Sequence, residues 1–422
     1  MRVFTILCVV FLFSSCALFH TKKKEKLSYT SDETELESIV SILASDSLEG
    51  RLIASPGARK AAHLIQQKMQ VYGLKPKGDR GSFLQAFPYT RIKHIQGRRG
   101  KMSTDTLQTH GNNVIGFHSN DSKYTVVIGA HFDYIGHGEI GFGMIGSGSG
   151  EIYNGADNNA SGVGAMLVLA RHAEALPKAF NYLFVAFSGE EYGFRGASYF
   201  VRNSPVPLEQ VAFMINLDQV GRMRGSKLIV YGTGTSPMWK DVITEENSQN
   251  LLIEQKATGI GRSDHTVFFL VNIPALHLTT GKHFDSRKPS DDVELINWEG
   301  IEAVMEYTKY ILKAAAPYGK PPFTATNEYK RKYQDKFKVT LGLMPDYFYT
   351  GEGLRVEVVI PDRSADRAGL KDGDIILQIG DIKIDNIYRY VDAIGKYKSG
   401  DQAQILYSRS GKEHKTTAVF IN

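Results

Sequence analysis

Five segments of this sequence place polar or ionisable side chains just past an apolar run or beside a helix start. They are GAHFDYIG (129–136), NGADNNASG (154–162), FSGEEYG (187–193), INLDQVGR (215–222), and SDHTVFF with TTGKHFDSRKPSDD (263–269 and 279–292). One such segment would mean little, because Asp and Asn are common at turns and helix caps. Several in this order, each following a buried strand, are more than capping explains. Gathered at strand ends, these His, Asp and Glu side chains point to a ligand or catalytic site.

The elements that must position them read as an α/β sheet. Tyr124 to Ala130, Asn181 to Phe187, Val211 to Leu217, Lys227 to Tyr231 and Ile273 to Leu278 are apolar runs of strand length. Between and around them lie helical patterns at Thr34 to Ala44, Ser161 to Ala175, Glu191 to Arg202 and Trp298 to Ala314. A further helix starts at Ser55-Pro56, an N-cap followed by proline at the first helical position, and closes at Gly73. A glycine-rich loop spans roughly 136–156. Strands alternating with helices predict a mixed, mostly parallel sheet with helices on both faces. Such sheets bind ligands at the carboxyl ends of their strands, where the polar segments cluster.

The span from about Ser38 to Ala314 resembles metallopeptidase family 28, the aminopeptidases with two zinc ions bridged by a carboxylate. The HxD pair, the ADNNASG turn, the Glu-Glu pair, the NLDQVGR strand end and the SDH-to-PSDD tail carry the resemblance. It implies the zinc aminopeptidase fold and a zinc cofactor. It also implies His131, Glu191 and Asp218 as metal ligands, Glu190 as general base and Asp133 as the carboxylate that orients His131. Two positions depart from the family pattern. The bridging Asp position holds Asn158, a neutral amide, and the distal His position holds Arg287, a fixed cation. A shared anion is what holds two dications together, so both departures weaken a two-metal centre. Arg287 could pair with Glu191 instead. Asp157, adjacent to position 158, and His283, four residues from Arg287, are alternative ligands; His137 fits a loop role, and His265 at a helix start a capping or structural one, ahead of a substrate contact.

The N-terminus reads as an export signal. Arg2 precedes the apolar run Val3 to Phe13, which ends in Ser14-Ser15-Cys16, a sequence that resembles a bacterial lipobox. The expected organisation is a lipoprotein signal peptide over 1–16, a Lys-rich tether over 17–31, the peptidase-like domain over 32–316, a linker over 317–336 marked by Pro317, Pro321 and Pro322, and a last domain over 337–422. The other cysteine, Cys8, falls in the removed segment, so thiol catalysis and an internal disulfide are excluded. The net charge of +5 is mostly local, because Arg2, Lys22, Lys23, Lys24 and Lys26 against Glu25 leave +4 before residue 27 and +1 for the rest. A near-neutral folded part argues against a nucleic-acid partner. The expected location is a membrane, reached through the lipid anchor and facing the periplasm of a Gram-negative bacterium.

From about Phe337 short strands with Gly and Asp turns replace the α/β pattern. LGLMPDYFY (341–349) and RSADRAGLKDGD (363–374) resemble a bacterial PDZ domain, which implies binding of peptides or protein C-termini through amides near Leu341 to Leu343. Two functions follow from the whole. The one favoured is a lipoprotein with a degenerate two-metal centre, a pseudoenzyme that binds peptides or a partner. The alternative is an active zinc aminopeptidase using one zinc or a rearranged pair.

Overall fold

Thr125–His131 is apolar along nearly its whole length, and all seven of its residues are buried. A strand covered on both faces has this composition, and it lies in the middle of a sheet. The computed structural model describes residues 31–96, 102–138, 150–244, 250–326, 339–345, 349, 351–359, 363–385 and 387–421. The expected signal peptide, nearly all of the tether, and parts of the glycine-rich loop and linker lie outside the described residues.

The strands of the larger domain are β1 (Lys75–Pro76), β2 (Leu84–Gln96), β3 (Met102–His118), β4 (Thr125–His131), β5 (Asn181–Phe187), β6 (Val211–Leu217), β7 (Lys227–Tyr231), β8 (Leu252–Lys256) and β9 (Ala275–Thr279). Among the described residues they form one nine-stranded sheet in the order β1-β3-β5-β4-β6-β9-β7-β8, with β2 paired to β3. The centre is parallel, β5 with β4, β4 with β6 and β6 with β9. The β2–β3 hairpin and the β3–β5 and β7–β9 pairs are antiparallel, which makes the sheet mixed.

Helices cover both faces: α1 (Asp32–Leu43), α2 (Pro56–Val71), α3 (Gly162–Arg171), α4 (Arg195–Arg202), α5 (Trp239–Val242), α6 (His265–Leu270) and α7 (Trp298–Ala315). Side chains alternate across a strand, so β4 feeds two cores. Val126, Ile128 and Ala130 pack with Leu36, Ile65, Val168 and Ile311 on one face. Val127 packs with Phe200 of α4 and Phe268 of α6 on the other. Each fully buried phenylalanine of this kind is worth about 1.5–3 kcal/mol. The Ser55 hydroxyl accepts the Ala58 N–H at 3.1 Å and caps α2 as its sequence predicts, a contribution of about 1 kcal/mol.

Two boundaries differ from expectation for local reasons. α4 begins at Arg195 rather than Glu191, because Gly193 and Phe194 take left-handed φ of 93° and 57°. Glu190 and Glu191 are thereby left on a tight turn after β5 instead of on a helix. β9 begins at Ala275, after Pro274, which has no N–H for a ladder.

The second domain is a small antiparallel sheet built from β10 (Leu343–Pro345), β11 (Leu354–Val359), β12 (Ile375–Ile379), β13 (Ile382–Lys383), β14 (Gln402–Arg409) and β15 (Lys412–Val419). Its order is β10-β11-β12-β14-β15, with β13 on β12, and it carries α8 (Ser364–Arg367) and α9 (Ile387–Ile394). Leu341, Val356, Ile376, Ile405 and Phe420 form a separate core. Ile260 of the larger domain packs against that core, and Arg202 Nη1 meets Asp372 Oδ2 at 2.7 Å. Among the described residues no helix is long and apolar enough to cross a membrane.

Candidate metal centre

Three strands deliver the site from their carboxyl ends. His131 is the last residue of β4, Glu190 follows β5 by three residues, and Asp218 directly follows β6. Gly189, with φ of 78°, lets the chain reverse after β5. The two glutamates then leave the backbone in different directions. The ligand atoms of His131, Glu190 and Asp218 all lie within 4.8 Å of one another, and all three residues are buried. His131 Nε2 is 3.5 Å from Asp218 Oδ1 and 3.9 Å from Glu190 Oε2.

Each donor is held from behind. His131 Nδ1 lies 3.1 Å from the Asp133 backbone oxygen, so the Nδ1–H donates there and Nε2 faces the cluster. The Asp133 carboxylate is 3.8 Å from that nitrogen, and its Oδ1 accepts the Glu190 N–H at 3.1 Å. Asp133 thus orients His131 through its carbonyl and fixes the glutamate turn through its side chain. The Ser263 hydroxyl donates to Asp218 Oδ2 at 2.6 Å and itself accepts Asn216 Nδ2–H at 2.7 Å. Within the cluster, His131 Nε2 and Asp218 Oδ1 have no hydrogen-bond partner among the described residues. Buried polar atoms are nearly always satisfied, so an inward-facing nitrogen and oxygen left bare here fit a cation.

The electrostatics agree. Burial alone would lower the His131 pKa, but Glu190, Asp218 and Asp133 together hold it well above its ordinary value. Burial pushes Glu190 well up, and Glu191 and Asp218 add to the shift. Burial also pushes Asp133 up to about 6. Asp218 goes the other way: burial would raise it, but the close approach and charge of His131 hold it low. Two carboxyls and one imidazole share a buried cluster with too little positive charge.

The loops around the pocket converge on Arg51, which is fully buried. Its Nε donates to the Phe132 oxygen at 2.8 Å, Nη1 to the Leu43 and Asn154 oxygens (2.6 Å to Asn154), and Nη2 to the Gly155 oxygen at 3.0 Å. Burial lowers its pKa to about 10. The turn at 155–161 closes tightly on β6: a Cβ on Gly162 would sit 2.3 Å from the Leu217 oxygen.

The expected two-metal centre broken at Asn158 and Arg287 is corrected by this geometry. Among the described residues one complete three-donor group is present, and neither position belongs to it. Three protein donors are what a catalytic zinc needs, so the pseudoenzyme reading that rested on a broken five-ligand set falls with it. Asn158 and Arg287 meet instead at Glu191, whose Oε1 accepts Asn158 Nδ2–H at 2.9 Å and whose Oε2 accepts Arg287 Nη2–H at 2.5 Å. Glu191 therefore lies outside the three-donor group, and Glu190 is the glutamate inside it.

Asp157 and His283 also stand outside the group and approach each other, with Oδ2 and Nε2 3.1 Å apart but not hydrogen-bonded. His283 Nδ1 faces Asp285 at 3.7 Å. His265 begins α6 without a side-chain cap and stacks on His277 with ring centroids 4.7 Å apart. His137 lies in the loop, its Nδ1 3.3 Å from the Gly150 oxygen. The supports Ser263 and Asn216 lie in the SDHTVFF and INLDQVGR segments, but the sequence assigned neither a role, since a serine before a short helix and an asparagine inside a buried strand are ordinary.

Residues 113–312 match the family model described as peptidase family M28, and residues 325–419 match the PDZ domain model. The alkaline phosphatase isozyme conversion protein of Escherichia coli (strain K12) is 30% identical over 175 residues, 40% of this chain and 47% of that protein. Aminopeptidase YwaD of Bacillus subtilis (strain 168) is 27% identical over 195 residues, 44% of this chain and 43% of that protein. The chain thus spans under half the length of these curated relatives. Among solved structures, BSAP, a zinc aminopeptidase from Bacillus subtilis, superposes with a TM-score of 0.54 at 18% identity, covering 71% of this chain and 96% of that one. At that identity the likeness shows the fold.

Proposed function

We propose that this chain, which carries a peptidase family M28 domain over residues 113–312 and a PDZ domain over 325–419, is a zinc-dependent aminopeptidase acting at one cation. The observation that carries this reading is the buried, mutually close set of His131 Nε2, Glu190 and Asp218 Oδ1, two of whose atoms lack any partner among the described residues. The zinc aminopeptidase among its structural neighbours and the aminopeptidase among its sequence relatives support the choice of reaction. Both domains belong to families that engage peptides, which suits a peptide substrate.

A bound zinc would polarise the scissile carbonyl and acidify water. The chain's own residues do the rest. His131 presents Nε2 because its Nδ1–H is tied to the Asp133 oxygen. Asp218 stays anionic because Ser263 and His131 hold it so. Glu190 completes the donor set; without the ion its carboxyl is held well above the ordinary range, and burial is the main cause. Asp133 fixes the turn that aims it.

The sequence at Cys16 supports export and a lipid anchor in the membrane, facing the periplasm. In the PDZ domain β10 is the terminal strand of its sheet among the described residues, and an added peptide strand would pair there. Leu341 to Leu343 lie at the start of that edge and would receive a C-terminal carboxylate.

The decisive experiment combines metal analysis with peptide cleavage. Purified protein loaded with zinc should hold one ion per chain and release N-terminal residues from unblocked peptides. Zinc-free protein after loading, or a loaded protein that leaves every unblocked peptide intact, would sink the reading.

A further inference from the structure

We propose that Arg287 forms, beside the metal centre, a binding subsite for a substrate carboxylate. The inference rests on the aminopeptidase reading for its chemistry, and the test below separates the two.

Arg287 carries five N–H donors in a rigid fork. One of them goes to Glu191 at 2.5 Å, and that is the guanidinium's only hydrogen bond among the described residues. The Arg287 side chain is 48% exposed, while Glu191 beneath it is 1% exposed. The pair is therefore anchored at the bottom and open at the top. Glu191 is the chain neighbour of the cluster glutamate, and its other oxygen is taken by Asn158. It cannot turn away to leave the arginine unsupported. The anchored fork is thus held still without being used up.

The backbone points the same way. Arg287 has φ of 62°, the left-handed region that is unfavourable for a non-glycine residue. Strain of this kind in a loop beside a catalytic pocket is stored where a side chain must be aimed. Within the loop, Asp285 is engaged by Arg222 Nη2 at 3.0 Å and the Ser290 hydroxyl at 2.9 Å. Lys288, next to Arg287 in the chain, places its Nζ 3.2 Å over the exposed ring of Phe284. The charges of Glu191, then Glu190 and Asp218, all reinforce the cationic form of Arg287, so it shares a field with the cluster.

A half-open guanidinium fork next to a hydrolytic centre selects a planar anion, and in a peptide that anion is a carboxylate. Two sources supply one: the side chain of an N-terminal Glu or Asp, and the C-terminus of a very short peptide. The recognition chemistry is shared, and the assay arms tell them apart.

The test uses the zinc-loaded full chain, Arg287→Met and Arg287→Lys. One arm compares kcat/KM for peptides beginning with Glu against the same peptides beginning with Gln. The other compares free dipeptides with their amides. Wild type should favour the carboxylate in at least one arm by about ten- to hundred-fold, as a charge-assisted hydrogen bond allows. Arg287→Met should lose that preference, and Arg287→Lys should keep only part of it. Each ratio is taken within one variant, so general damage to the site cancels. A direct readout, independent of turnover, is glutarate binding by calorimetry, which should weaken by a similar factor in Arg287→Met. Equal ratios in wild type and Arg287→Met, with unchanged glutarate binding, would overturn the subsite. If no peptide is cleaved at all, the aminopeptidase reading fails, and glutarate binding still decides the role of Arg287.

Discussion

Glu190 and Glu191 are adjacent, both buried, and opposite in their surroundings. Glu191 faces donors: Asn158 and Arg287 occupy its two oxygens. Glu190 has His131 Nε2 at 3.9 Å and the carboxylate of Asp218 beyond it, and neither Nε2 nor Asp218 Oδ1 makes a hydrogen bond among the described residues. A carboxylate among donors is a finished structural element. A buried carboxylate without such donors is unfinished, and a cation would complete it. The difference between two neighbouring identical residues is thus the difference between a paired carboxylate and a member of the candidate metal group, and it comes from the turn that Gly189 permits.

The largest test of that contrast is His131→Ala. Removing the nitrogen donor should cut zinc affinity by more than the ten- to hundred-fold typical of an outer support, and a metal titration would show it. Affinity unchanged in this variant would mean the ion sits elsewhere. Ser263→Ala strips the support behind Asp218 and should cost about ten- to hundred-fold in zinc affinity while the fold stays intact. The same cluster predicts a pH dependence. In the metal-free protein the pKa values of His131 and Glu190 are raised, so both carry protons at pH values where they ordinarily would not. Zinc competes with those protons, and binding must expel them. Affinity should therefore rise with pH by about ten-fold per unit for each proton displaced, and calorimetric heats should change with the buffer's ionisation enthalpy. Heats that ignore the buffer would contradict the assignment. Smallest in its effect on metal is Glu191→Gln, which should keep the ion and lose about 1–3 kcal/mol of stability through its imperfect bond to Arg287. If Glu191→Gln emptied the site while Glu190→Gln did not, the contrast would be reversed.

Much of the sheet was legible because its central strands are apolar throughout: Asn181–Phe187 and Val211–Leu217 appear in the structure with the bounds their composition suggests. The β2–β3 hairpin was not, because Lys93-His94-Ile95-Gln96 and Asp105-Thr106-Leu107-Gln108 alternate without the apolar run that marks a covered strand. The six residues of α6 are too few for a helical period to show. At the site, His131 and Asp218 could be found as strand ends. Which of two consecutive glutamates would face them depends on φ values over residues 189–194, and no spacing rule distinguishes identical neighbours. The Asp157–His283 pair joins residues far apart in the chain, and neither segment names the other.

Arg51 gives the site loops a shared fate. Its four carbonyl partners belong to the end of α1, the segment after β4 and the turn before α3. If any one of these stretches swung out, a buried cation would be stranded with part of its cage missing, at a cost of several kcal/mol. Opening is therefore all-or-none across three stretches that are distant in sequence. In native-state hydrogen exchange, amides at the rim of the pocket should report one common opening free energy instead of a gradient of fraying ends.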